Sequence, residues 1–195
     1  MGVMRKLIVI EFMTLDSVIQ APSGEQEDPS GGFTHGGWTN PYSDAVQSAV
    51  IKSQMFQPFD LLVGRRTYAM WATYWPHQTF WPQVNEATKY VVSTTLTQTI
   101  WGPAELISHD VPARIAALKQ TQGRDLHVYG SGTMVQTLLA HDLVNEFWLK
   151  IHPLTLGSGT KLFGSGTIPA HYSVTKSEVT PTGVLMLNLA RGQQH

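Results

Sequence analysis

The sequence predicts an α/β fold, a mostly parallel central sheet with helices on both faces and antiparallel strands toward the C-terminus. Three observations carry that reading. Short, nearly unbroken apolar runs recur along the chain, the pattern of strands covered on both faces. Stretches with helical spacing of apolar residues alternate with them, which is the rhythm of a parallel sheet. The C-terminal part instead joins strand-like runs through glycine turns, with little helical pattern between them.

Leu7–Met13 is the first strand, apolar apart from Glu11. Ala21 to Tyr42 is a long loop rich in Gly, Pro and Ser that carries Phe33, Trp38 and Tyr42. Loops of that length inside a compact domain are usually functional or disordered, and the aromatics favour the first. Ala45, Val46, Ala49 and Val50 share one helical face. Asp60–Val63 is the second strand, followed by Gly64-Arg65-Arg66-Thr67 and a helix through Tyr68–Trp71. Tyr90–Val92 and Leu106–Ile107 read as strands, and Ala113, Ile115, Ala116 and Leu118 as a helix. Leu126–Tyr129 is a further strand, and Gly130-Ser131-Gly132-Thr133 opens a helix containing Met134, Val135, Leu138 and Leu139. Phe147–Ile151, Val174–Val179 and Val184–Leu189 are expected to be antiparallel strands. With no internal repeat and no linker, residues 1–195 read as a single domain.

Composition removes several function classes. A hydrophobic share of 42% can build a core without disulfides. Lys plus Arg number 13 against 14 Asp plus Glu, a net charge of -1, so no basic field exists for nucleic acid or anionic lipid. Charged residues are only 14%, which fits a surface partly covered in an oligomer. The absence of Cys excludes thiolate nucleophiles, thiolate zinc sites and iron–sulfur clusters. No apolar run approaches a membrane span and no cleavage site follows the first strand, so a cytoplasmic location is the expectation. None of the 8 His forms an H-x-x-x-H pair, and no metal site is expected. Ser131, Ser158 and Ser165 each lack the glycine that a G-x-S-x-G elbow requires.

What remains is phosphate chemistry at strand ends. Gly64, Arg65, Arg66 and Thr67 follow one strand, Ser93, Thr94 and Thr95 another, and Gly130, Ser131, Gly132 and Thr133 a third. Glycine allows close approach, amides at a helix start point outward, and arginine binds phosphate in a bidentate manner. Ligands of open α/β sheets collect outside the carboxyl ends of the strands, so three such ends together suggest a dinucleotide. Arginines and hydroxyls stand where an NAD site wants an acid, which favours the 2′-phosphate of NADPH.

Several segments then resemble the dihydrofolate reductase superfamily: Thr14–Ile19, Gly31-Gly32-Phe33, Gly36-Gly37-Trp38, Leu62–Tyr68, Lys89–Ser93, Val128–Gly132, Pro153–Gly159 and Leu162-Phe163. The likeness runs from about Arg5 to Arg191 and is closest to the reductase domain of the riboflavin-biosynthesis deaminase-reductase and its stand-alone relatives. It implies NADPH across the strand ends, hydride transfer to a pterin-like or aminopyrimidine substrate of the 5-amino-6-(5-phosphoribosylamino)uracil type, and a homodimer. By position it assigns Gly64, Arg65, Arg66 and Thr67 to phosphate, Ser93 and Thr94 to the 2′-phosphate, and Gly130 to Thr133 to the pyrophosphate. One departure is Ser17, where the family has glycine after Leu15-Asp16.

Hydride chemistry belongs to the cofactor, so the protein must position two planar rings and supply a proton. Phe33, Trp38, Tyr42 and Trp71 are candidate substrate-binding aromatics, with packing of the loop onto the domain as the alternative. Asp44 and Asp16 are the candidate catalytic acids, with a helix-start role for Asp44 and a turn role for Asp16 as the alternatives. Two rival readings stand: a non-catalytic nucleotide-binding dimer of the same fold, and a serine-dependent transferase using Ser131.

Overall fold

The structure, a computed structural model, describes residues 4–165 and 167–192; Gly166, the last residue of a turn expected from Gly164-Ser165-Gly166 in the sequence, and His195 lie outside them. The strands are β1 (Leu7–Thr14), β2 (Asp60–Gly64), β3 (Lys89–Val92), β4 (Ala104–Ile107), β5 (Leu126–Tyr129), β6 (Glu146–His152), β7 (Tyr172–Val179) and β8 (Leu185–Arg191). The helices are α1 (Ala45–Met55), α2 (Arg65–Tyr74), α3 (Pro82–Glu86), α4 (Val111–Lys119) and α5 (Gly132–Ala140). One eight-stranded sheet runs in the order β4-β3-β2-β5-β1-β6-β8-β7. β4, β3, β2, β5, β1 and β6 are parallel neighbours, and β8 alone is reversed, antiparallel to both β6 and the edge strand β7.

β6 corrects the sequence expectation. It pairs parallel with β1, from Ile8 opposite Glu146 to Thr14 opposite His152, and antiparallel with β8. Its connection from α5 is a crossover, which the glycine turns that follow β6 do not reveal. α3 escaped the sequence reading because five residues starting at Pro82 are too short to show a period.

Burial on both faces explains the apolar strands. Leu7, Val9, Leu62, Val128, Phe147 and Leu149 pack under α4 and α5 through Ile115, Val135, Leu138 and Leu139. Phe59, Leu61, Val63 and Val91 pack on the other face against Tyr68, Ala72, Trp81 and Val84 from α2, α3 and their connection. α1 lies over the antiparallel end, where Val50 meets Val184 and Met186. The edge strand β7 lacks a second neighbour, and its residues are exposed apart from the half-buried Tyr172. That layering leaves the carboxyl ends of the parallel strands as one continuous rim.

A cleft built on helix starts and strand ends

A cleft of about 680 Å³ opens along this rim. Its walls contain Gly64, Arg65, Arg66 and Thr67 from the β2–α2 junction, Ser93 and Thr94 after β3, and Gly130, Ser131, Gly132 and Thr133 from the β5–α5 junction. The three segments expected to handle phosphate therefore face one space. Ile10, Glu11 and Phe12 from β1, together with Trp71 and Tyr129, complete one end, while Glu27 and Asp28 lie on the loop side.

Ser131 joins the two helix starts. Its Oγ accepts from the Gly64 N–H at 2.9 Å and donates to Thr67 Oγ1 at 3.1 Å. Gly130 has φ 58, a left-handed conformation that favours glycine, and a Cβ there would stand 3.2 Å from Thr67 Oγ1. The hydroxyl of Ser131 thus acts as a clasp, and no histidine partner activates it among the described residues, so the nucleophile reading loses its base.

The first amides of α2 and α5 have no intrahelical carbonyl to meet, as at any helix start. Neither helix has a side-chain cap. With the positive ends of two helix dipoles and the exposed guanidiniums of Arg65 and Arg66, the wall presents donors and positive potential suited to an anion. Arg66 makes one contact, Nη1 to Ser30 Oγ at 3.3 Å, and Arg65 has no side-chain partner among the described residues. Ser93 Oγ accepts from the amides of Thr95 and Leu96 and pairs with Thr95 Oγ1 at 3.4 Å, which holds the turn against the cleft. This donor set fits a dinucleotide phosphate chain carrying a 2′-phosphate.

Both expected acids sit elsewhere. Asp44 starts α1, accepting from the Gln47 N–H at 2.8 Å and the Thr182 hydroxyl at 2.7 Å. Those donors hold its carboxyl at about 2, below the ordinary 3.8. Asp16 accepts from the Thr14 hydroxyl at 2.6 Å and from the amides of Leu156 and Gly157, and is likewise held at about 2. Neither lines the cleft. Each is a carboxylate saturated by local donors, the opposite of an acid poised to give up a proton at neutral pH.

Of the four expected substrate aromatics, only Trp71 lines the cleft. Trp38 is buried with Nε1 donating to the Gln20 carbonyl at 2.8 Å and its ring edge-on to His152 at 5.2 Å. Tyr42 meets the same His152 ring at 5.4 Å. Phe33 packs with Val18, Ala21 and Trp38. These rings fasten the long loop to the domain, adding buried aromatic surface to the loop's own backbone hydrogen bonds.

Two cleft residues escaped the sequence reading. Tyr129 packs its ring 5.6 Å from Trp71, and its buried hydroxyl has no partner. Glu11 is 4% exposed, and its Oε1 also lacks a partner. Burial pushes the Glu11 carboxyl well above the usual 4.5, against the opposing pull of Lys150 and the Gly130 N–H. The available signal was a lone acid inside the apolar Leu7–Met13 run. Lys150 itself, wholly buried and bonded to Gln54 Oε1, is lowered to about 7 by the same desolvation.

With this geometry in place, comparison with known proteins decides the family. The model of the RibD C-terminal domain matches residues 5–186. The chain belongs to the RibD C-terminal domain family. The uncharacterized protein YyaP of Bacillus subtilis (strain 168) is 29% identical over 170 residues, 82% of this chain and 80% of the relative. A crystal structure of a Shewanella sp. PV-4 protein provisionally named for riboflavin biosynthesis superposes with a TM-score of 0.64 at 22% identity, covering 96% of this chain and 99% of that one. Dihydrofolate reductase from Enterococcus faecalis, complexed with NADP(H) and RAB-propyl, gives a TM-score of 0.61 at 11% identity, covering 96% and 97%. The fold is therefore dihydrofolate reductase-like, and family and fold together support a reductase. No helix among the described residues is long and apolar enough to cross a membrane.

Proposed function

We propose that this RibD C-terminal domain protein is an NADPH-dependent reductase acting on a planar heteroaromatic ring of the pterin or aminopyrimidine kind, riboflavin precursors included. The observation that carries the reading is the convergence of two uncapped helix starts, Arg65 and Arg66, and the Ser93–Thr94 hydroxyls on one cleft. When bound, the dinucleotide supplies the hydride. The helix-start amides and the Gly130–Thr133 turn orient the pyrophosphate, while Arg65, Arg66, Ser93 and Thr94 select the 2′-phosphate. Trp71 and Tyr129, with Ile10 and Phe12, offer the flat apolar surface a heteroaromatic ring needs.

Titration calorimetry with NADPH and NADH tests this reading. NADPH is expected to bind more tightly, and equal affinities would refute the assignment. The same reading includes a homodimer formed through the antiparallel end of the sheet. Edge strand β7 leaves one side of its ladder open and exposes Val174 (60%) and Val179 (67%) among polar residues, an edge that a second copy can pair with. A monomer mass by light scattering at micromolar protein would remove that part of the proposal.

A further inference from the structure

Glu11 is a costly residue to place where it is. A buried carboxyl with an unpartnered oxygen forfeits hydrogen bonding that water would supply, so such a group marks a ligand contact or a strained core. Here it lines the cleft. Its position along the sheet decides which part of a ligand it would meet.

In the sheet, β3, β2, β5 and β1 are consecutive neighbours. Three strand spacings of about 4.8 Å separate β3 from β1, a span of about 14 Å. Ser93 and Thr94 stand at the β3 end, the Thr67 and Gly130–Thr133 segments in the middle, and Glu11 at the β1 end. A dinucleotide whose 2′-phosphate lies at β3 and whose pyrophosphate lies over the β2–β5 junction carries its nicotinamide over β1. Glu11 is the carboxyl found there. Ile10, its neighbour on β1, is in register with Tyr129, which sets Glu11 beside Gly130.

Resting on the NADPH reading above, we propose that Glu11 receives the nicotinamide carboxamide, its carboxylic acid pairing with the amide through two hydrogen bonds. A carboxylic acid presents one donor and one acceptor on the same edge, and a primary amide presents the complementary pair. An ionised carboxylate offers acceptors only and loses one of the two bonds. Burial shifts Glu11 toward its neutral form, and the carboxylate of Glu27 acts in the same direction. Lys150 on β6 and the Gly130 N–H on the β5 side oppose it. The Tyr129 hydroxyl, itself held neutral by burial, and the Arg65 and Arg66 guanidiniums line the same cleft. Glu11 is thus a positioning residue that sets the angle of the ring from which hydride leaves.

The test compares NADPH with 2′-phospho-ADP-ribose, the same dinucleotide without the nicotinamide, by calorimetry from neutral to alkaline pH. Taking the ratio of the two affinities cancels the titration of the 2′-phosphate, which both ligands carry. Wild-type protein is expected to prefer NADPH, with the preference shrinking as pH rises and Glu11 ionises. Glu11→Leu should reduce the ratio about tenfold, the scale of a lost buried hydrogen-bond pair. Its affinity for 2′-phospho-ADP-ribose should stay unchanged, which also shows that the variant folds. Glu11→Gln, whose amide has a donor and an acceptor at every pH, should keep the preference and remove its pH dependence. An unchanged ratio in Glu11→Leu overturns the inference, and so does a pH-dependent ratio in Glu11→Gln, which would point to Lys150. Wild-type protein that binds neither ligand overturns the cofactor assignment itself.

Discussion

Three helices of this domain begin near one another in chemistry and differ in what meets their first amides. α1 starts at Asp44, whose carboxylate takes the Gln47 N–H and, from the far end of the chain, the Thr182 hydroxyl. α2 and α5 start at Gly64 and Ser131 with no side-chain cap, and both line the cleft. α4 is uncapped as well, and its Val111 lines the same cleft. The physics at every start is identical, a set of amides without carbonyl partners. α1 satisfies them from within the chain, whereas α2, α5 and α4 leave theirs uncapped beside the cleft; the short α3 is also uncapped but begins at Pro82, away from it. The same division runs through the aromatics, with Trp38 and Tyr42 closed around His152 and Trp71 open to the cleft.

The sharpest way to break that division is Trp38→Ala. Trp38 is 6% exposed, so its truncation should cost about 3 to 5 kcal/mol of stability by chemical denaturation. NADPH affinity of the folded fraction should be unaffected. A parallel loss of affinity would mean that the aromatic block belongs to the cleft. Next in size, Arg65→Gln and Arg66→Gln should leave stability intact. The one that meets the 2′-phosphate should cost about 1.5 to 3 kcal/mol of NADPH affinity, the scale of a charge-assisted hydrogen bond. NADH binding should change little in that variant, and titration of both cofactors reads the contrast.

The smallest effect belongs to Asp44→Asn, which should lower the melting temperature and spare cofactor binding. Its carboxyl titrates at about 2 in the fold against an ordinary 3.8, so the folded state favours the charged form. The stabilisation from Asp44 is complete above its unfolded value and is lost as pH falls through about 2. The stability gap between wild type and Asp44→Asn should therefore close over that acid window. A gap that persists to lower pH would assign the effect to the shape of the residue rather than its charge.

Much of the fold was legible because it is written in local pattern. β1, β2, β3 and β5 are short apolar runs, and α1, α4 and α5 repeat apolar residues at helical spacing. The phosphate-friendly wall was legible for a related reason. Gly64–Thr67 and Gly130–Thr133 are contiguous turns at strand ends, and an α/β sheet brings successive strand ends together. A helix-start role for Asp44 and a turn role for Asp16 were readable as alternatives, but the distant donors that saturate both acids were not. Asp44 is 138 residues from Thr182, and Asp16 is 140 and 141 residues from the Leu156 and Gly157 amides that absorb its charge.

By itself, then, the sequence determined which segments are strands and helices and which turns can approach a phosphate, since periodicity, glycine and arginine act over a few residues. Tertiary structure alone decided that β6 lies parallel to β1, that Trp38 and Tyr42 close on His152, and that Glu11 is a buried carboxyl in the cleft wall. A carboxyl group is the same in every strand or turn. Whether it becomes a saturated anchor or a buried, partner-seeking acid depends on the donors and the water that the rest of the chain brings to it or takes away.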